Sequence, residues 1–251
     1  MGICYAGAAQ QPWVSGRLSS ILRQPWQAWM APVSMLQADQ TTTGIMATRP
    51  YLIDGARQLY LFSCMPFGRQ AAGLGCRRFV TDGYEDLDLS LAYAKKLSAH
   101  LSLGAGIGRQ SQRFFDGARH SRWKAVFNTA LRQPRWVAAV YARIEKDAFP
   151  SPALLYLDAT AAADLDASLY VDFSLSWQSN AGIGGSGSFQ YCYRNSWLLA
   201  FCVVARSFSV SYETGYIKNG WLIAVSGVQT PGIGWSPGVK LGFSFIRKRQ
   251  V

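Results

Sequence analysis

Residues 87–108 run LDLSLAYAKKLSAHLSLGAGIG. Counted by twos, Leu87, Leu89, Leu91 and Tyr93 fall on one face, and Asp86, Asp88, Ser90 and Ala92 fall on the other. After Lys95-Lys96 the rhythm resumes, with Leu101, Leu103, Ala105 and Ile107 set against Ser102, Gly104, Gly106 and Gly108. Period-two alternation marks β-strands, so the stretch is a hairpin with one apolar face and one face of small or polar groups. In a soluble sandwich the apolar face turns inward; in a membrane-spanning barrel it turns outward, to lipid. The second face discriminates. A strand face exposed to bulk water carries Lys, Glu, Arg and Thr. This one carries Ser, Gly and Ala with an occasional Asp, a set suited to a crowded interior. The leucines are expected to face lipid.

The same signal recurs along the chain. Strand patterns occupy 43–52, 59–66, 71–80, 86–95, 98–113, 123–131, 136–146, 153–160, 167–177, 185–193, 197–205, 207–215, 221–229 and 238–246. Turn chemistry separates them: the polar segment DGARHSR at 116–122, RQPR at 132–135, the Gly-rich GIGGSG at 182–187 and YIKNG at 216–220. About fourteen strands at roughly fifteen residues per strand and connection suit tilted spans of ~9–11 residues joined by short turns. That spacing exceeds the ~8–12 residues of an immunoglobulin-like sandwich. The expected fold is all-β, a transmembrane antiparallel β-barrel of about fourteen strands preceded by a short N-terminal segment. The segment is set at 1–12, on the periplasmic side or as a plug, and the barrel at 13–251. Within 13–40 two readings stand: strands at 13–26 and 33–40 broken by Pro32, or an irregular plug interrupted by Pro25 and Pro32.

Composition agrees. The chain of 251 residues is 16% charged and 14% aromatic, with 24 glycines and a mean hydropathy near zero. Soluble domains carry about a quarter charged residues. A barrel's polar interior cancels its apolar exterior in the average. No run of about 18 apolar residues occurs, so no transmembrane helix is expected. Trp123, Trp136, Trp177, Trp197, Trp221 and Trp235 stand at segment boundaries, where a barrel places the aromatic girdles of its two interfaces. The last strand holds Gly238, Leu241, Phe243 and Phe245, spaced like a barrel-assembly signal, with six residues following Phe245.

Little chemistry stands out. Cys4, Cys64, Cys76, Cys192 and Cys202 form no CxxC, and two histidines cannot complete a zinc pattern, so no metal and no cofactor are expected. His100 and His120 lie in no hydrolase motif. GAGIG (104–108) lies within a strand and opens no helix, and GIGGSG lacks the P-loop lysine. Asp82, Glu85, Asp86 and Asp88 fit a solvated turn followed by interior carboxylates. The protein is expected not to be an enzyme. The net charge of +11 favours phosphate. Residues 119–124 (RHSRWK) match a membrane-edge loop contacting lipopolysaccharide or lipid phosphates better than a nucleic-acid surface. Interior arginines such as Arg77 and Arg143 are expected to pair with Asp88, Asp172 or Glu145.

The order of several short motifs resembles the PorP/SprF family of outer-membrane barrels, linked to type IX secretion and gliding motility in Bacteroidota. Tyr5-Ala6-Gly7 matches the second half of the family's Asn-Pro-Ala-Tyr-Ala-Gly opening. Arg23 and Trp26 match its Arg-x-x-Trp pair, and Ala31-Pro32 its Gly-Ala-Pro turn. The chain departs from the pattern at Gly2-Ile3-Cys4 and at Met30. Residues 91–108 resemble the family's central hairpin. The resemblance implies a non-enzymatic barrel in the bacterial outer membrane that serves the type IX machinery. Its implied partners are other outer-membrane or periplasmic secretion proteins and a secreted cargo protein, with no nucleic acid. It also implies that Met1 falls just past the signal peptide of a longer chain. A looser similarity to FadL-type barrels supplies an alternative, a channel for hydrophobic small molecules. A soluble basic β protein that binds nucleic acid or anionic surfaces is the third reading.

Overall fold

The computed structural model describes residues 32–37, 41–50, 55–133, 136–147, 152–164, 169–193, 196–205, 208–218, 221–232 and 234–244. Fourteen strands follow a 3-10 helix, Pro32–Gln37. They are β1 (Thr42–Thr48), β2 (Arg57–Phe67), β3 (Gln70–Thr81), β4 (Tyr84–Lys96), β5 (Leu101–Phe114), β6 (Arg119–Arg132) and β7 (Trp136–Asp147). The circuit continues with β8 (Leu154–Asp164), β9 (Leu169–Gln178), β10 (Gly182–Tyr193), β11 (Trp197–Val204), β12 (Ser209–Lys218), β13 (Trp221–Thr230) and β14 (Gly234–Ser244). Each strand pairs antiparallel with its sequence neighbours, and β1 pairs with β14 from Thr42↔Ser244 to Thr48↔Gly238. The sheet closes on itself, so no strand edge is left with unpaired backbone groups.

The hairpin of residues 87–108 answers its own question. Leu89, Leu91 and Tyr93 are 50%, 53% and 44% exposed, whereas Asp88 and Ala92 on the other face are 2% and 6% exposed. Leu103 and Ile107 likewise point out. Around the barrel the outward positions are apolar, from Ile45 on β1 to Leu241 on β14. All six boundary tryptophans lie on this outer surface, three toward each end. Trp136, Trp197 and Trp221 begin β7, β11 and β13 at the end where β1 starts and β14 finishes, here the terminal end; Trp123, Trp177 and Trp235 lie toward the opposite, distal end. Ring pairs Trp197–Tyr216 and Trp221–Phe243, with centroids 4.9 and 4.6 Å apart, reinforce the terminal rim. Trp123 is opposite Lys146, ten residues along β7 from Trp136. Ten steps of ~3.3 Å at a tilt of ~40° separate the two rims by ~25 Å, the height of an outer-membrane barrel's apolar band.

The connections are short. At the terminal end none exceeds four residues, while two at the distal end, 49–56 and 148–153, have eight and six. Barrels of this kind keep short turns on the periplasmic side, which places the terminal end there. In the β5–β6 turn the Ala118 N–H donates to Asp116 Oδ1 at 2.9 Å, and Gly117 takes a φ of 82° that a side chain would resist.

Four sequence expectations are corrected. Residues 33–37 belong to the 3-10 helix rather than to a return strand; 38–40 and 13–31 lie outside the described residues. The polar loop at 116–122 shrinks to 115–118, because β6 already begins at Arg119. GIGGSG is the first half of β10, not a turn, and Tyr216–Lys218 of YIKNG complete β12. Glycine and serine signal turns in a soluble protein, but a barrel's inner face also needs small groups, and here Gly184 and Ser186 pair with Ser176 and Ser174 of β9.

Val140 is 52% exposed near the middle of the β7 span. Val140→Lys is expected to lower the stability of the lipid-embedded barrel by ~2–4 kcal/mol, and Val140→Leu to leave it unchanged within ~0.5 kcal/mol. Denaturant unfolding in phosphocholine vesicles measures both; equal stability for Val140→Lys would contradict a lipid-facing position.

Candidate functional site: the lumen

The inner face has two described features, an apolar socket near the terminal end and charged tiers above it. The socket holds the 3-10 helix. Met35 and Leu36 bury against Phe62 and Cys64 of β2, Ala71 of β3, and Ala92 and Ala94 of β4. Room for the helix comes from missing side chains. A Cβ on Gly73 would lie 2.5 Å from Met35 Sδ, and one on Gly104 would lie 2.7 Å from Pro32 Cβ. The Val33 N–H donates to Asn128 Oδ1 at 3.3 Å, and the Cys64 thiol faces the Met35 carbonyl oxygen at 3.8 Å. These six residues are seated as a plug against β2–β6.

Above the socket the wall is ionic. Arg77 donates to Asp86 at 2.6 Å, and Gln110 donates to both Asp86 oxygens at 2.8 and 2.9 Å. Lys124 reaches Asp88 at 2.5 Å, with Arg77 3.9 Å from the same carboxylate. Arg122 binds Asp147 at 2.5 Å and Glu145 at 3.0 Å, and Arg143 lies 3.1 Å from the other Glu145 oxygen. The Arg143 guanidinium also stacks 3.9 Å over the Tyr156 ring. Lys240 on β14 pairs with Glu213 on β12, and both are buried. The expected Arg77–Asp88 and Arg143–Glu145 contacts are among these; the Asp172 side chain lies outside what is described.

Small residues stand between the partners of the long pairs. Lys124 and Asp88 sit on β6 and β4, with Gly108 of β5 opposite Lys124 between them. A Cβ there would crowd β4, 3.0 Å from the Leu89 carbonyl oxygen and 3.4 Å from Ser90 Cβ. On the other side of the barrel, Ala224 and Ser226 of β13 stand where the Glu213–Lys240 pair crosses. Serines line the facing wall, where Ser174 and Ser186 meet at 2.6 Å and Ser209 and Thr230 at 3.0 Å. Cross-strand alternation made the adjacent-strand pairs legible; these pairs that skip a strand need the closed register.

The remaining sequence candidates are dispersed. Tyr5, Ala6, Gly7, Arg23, Trp26, Ala31 and Phe245 lie outside the described residues, while Pro32 opens the plug helix. Gly238 faces the lumen; Leu241 and Phe243 face outward. Residues 119–124 do not form one basic loop. Arg119 and Trp123 point outward, whereas Arg122 and Lys124 point into the lumen ion pairs, so the run cannot present a continuous stripe to nucleic acid. His100 Nδ1 lies 3.0 Å from the Arg132 carbonyl oxygen, and His120 packs edge-on to Phe114 at 5.5 Å between centroids. Among the described residues, Cys64 and Cys76 are free thiols.

No protein-family model matches the sequence, and no curated protein matches it. Solved structures match the fold. A FadL homologue from Pseudomonas aeruginosa superposes with a TM-score of 0.63 at 10% identity, covering 88% of this chain and 94% of that one. The Pseudomonas putida toluene transporter TodX gives 0.62 at 10% identity with the same coverages, 88% and 94%. The outer-membrane protein Omp33 of Acinetobacter baumannii gives 0.57 at 9% identity, covering 82% and 98%. At such identities the likeness is one of architecture. Together with the apolar belt and its aromatic rims, it makes the chain an integral β-barrel of the bacterial outer membrane.

Asp88 serves two cations, so Asp88→Leu strands Lys124 in a buried site. The expected loss is about 3–5 kcal/mol in detergent unfolding, with much of it recovered in Asp88→Leu/Lys124→Leu; no loss in the single variant would remove the ionic wall as a stabilising element. Gly104→Val is expected to expel the 3-10 helix and expose the Cys64 thiol, which is 0% exposed in the native barrel. Maleimide labelling of the folded protein, read peptide by peptide, should modify Cys64 in the variant and spare it in the parent.

Proposed function

We propose that this barrel is a non-enzymatic partner subunit of the type IX secretion machinery, of the PorP/SprF kind, and not a solute conduit. The observation that carries the reading is the state of the lumen. Its charges bind one another across the wall, and an apolar helix occupies the socket at the periplasmic end. A conduit needs polar groups free to exchange with a solute, or an apolar pocket leading to a gap between strands. Among the described residues no such gap opens, since each of the fourteen strand pairs, β1 with β14 included, is joined over seven or more residue pairs. A barrel filled in this way suits a rigid membrane anchor that presents its ends to other proteins. The order of the short motifs from Tyr5 to Pro32 supplies the choice of machinery.

FadL-type transport of hydrophobic molecules is the competing reading, favoured by the architecture shared with TodX and the FadL homologue. Two measurements separate them. Inserted in planar bilayers, a secretion partner leaves the membrane non-conducting, and vesicles carrying it take up toluene no faster than protein-free ones. In the source bacterium, deleting the gene should stop the export of at least one secreted protein, and gentle-detergent purification should retain other secretion subunits. Unimpaired export together with accelerated hydrocarbon uptake would replace the secretion reading by transport.

A further inference from the structure

The charged lumen leaves the chain's excess of +11 to be accounted for elsewhere, because Arg77, Arg122, Lys124 and Arg143 there face Asp86, Asp88, Glu145 and Asp147. Part of that excess is concentrated on the outer surface of β3–β7 toward the distal end. Arg78, Arg109, Arg113, Arg119 and Lys146 are all exposed there. On the same strand faces Glu85 is the one carboxylate, and Arg78 takes it at 2.8 Å. Asp82 and Asp116 lie in the rim turns, and among the described residues neither forms an ion pair with the remaining four cations.

The four cations stand in two rows. In the lower row Arg109 is opposite Trp123, which is opposite Lys146, and the Arg109 guanidinium lies 5.7 Å from the Trp123 ring centroid. The upper row is Arg113 directly opposite Arg119. Four residues of β5 separate the rows, ~13 Å along the strand. Glu85 stands opposite Arg113 on the far side from Arg119 but is engaged by Arg78, so the Arg113/Arg119 pair, like charges directly opposite each other, is relieved by an added anion. Trp123 marks the interface, and the exposed apolar side chains Leu89, Ile107, Phe127 and Ile144 continue the surface below it into the membrane. The longer connections put this end outside the cell.

We infer that this face binds lipopolysaccharide, with the phosphates of one lipid A held by the Arg113/Arg119 row and the Arg109/Lys146 row and its acyl chains lying over the apolar belt. A head group with two separated phosphates matches two cation rows. An ordinary phospholipid, with one, fills a single row. Arginine suits the task because its planar fork donates two hydrogen bonds to one phosphate. The assignment stands independently of the secretion reading.

The test uses the full barrel in non-ionic detergent and follows the heat-induced loss of the compact electrophoretic form while bis-phosphorylated lipid A is titrated in. The parent should be stabilised, and Arg109→Ala/Arg113→Ala/Arg119→Ala should need about a hundredfold more lipid A for the same shift. Lys95→Ala/Lys218→Ala, which removes two exposed cations near the terminal end, should behave as the parent. Dephosphorylated lipid A should have no effect, and added salt should weaken the parent's response. If the triple variant does not fold, Arg113→Gln/Arg119→Gln carries the same comparison. Equal lipid A dependence in parent and variant overturns the site. Equal stabilisation by phosphatidylglycerol overturns its assignment to lipopolysaccharide. A variant that responds normally to lipid A yet loses a co-purifying acidic protein would give the patch to that protein instead.

Discussion

Lipid offers no hydrogen bonds, and every backbone N–H and C=O within it must find a partner in the chain itself. The β1–β14 pairing meets that demand. Seven residue pairs join the first strand to the last, and without them two strands would present open edges to the bilayer. Closure makes the rest of the structure obligatory. With one face of every strand committed to lipid, all the polar chemistry of the spans must gather on the other, in a space only as wide as fourteen strands allow.

That confinement explains the inner wall. Fourteen inward faces of large side chains would overfill the space at one level and clash with the helix at another. Gly73, Gly104 and Gly108 relieve it: the first two leave room for Met35 and Pro32, and the third sits close against Leu89 and Ser90 of β4. Buried ion pairs of this kind add little net stability over apolar packing, but a half-broken pair is costly. Their effect is to fix register. A shift of β6 against β5 by one residue would turn Lys124 to lipid and leave Asp88 without its closest cation.

The charges are apportioned by face. Inside, Arg77, Arg122, Lys124 and Arg143 of β3, β6 and β7 are each paired with carboxylates of β4 and β7. Outside, the unmatched cations lie at and beyond the Trp123 row, on the face proposed to meet an anionic lipid. The six-residue run from Arg119 to Lys124 contains both roles on alternate residues, and only the pleat separates them.

The sequence by itself determined the strand count, the span positions and the face turned to lipid, because alternation with period two is a local property that survives in any sheet with two unlike sides. It carried the six rim tryptophans, the pairing of Arg77 with acids on the neighbouring strand and that of Arg143 with Glu145 two residues along its own, since turns set the register of neighbouring strands and alternate residues share a face. It could not separate a glycine that bends a turn from one that vacates a wall, so residues 182–184 were legible only as a turn and 119–122 only as a polar loop. The tertiary structure alone decided that the segment from Pro32 to Gln37 coils into a plug, and that Lys124 finds Asp88 and Lys240 finds Glu213 across an intervening strand. Each depends on which residues share a height on the closed wall, and that height is set by the accumulated stagger of the whole sheet, not by any window of sequence.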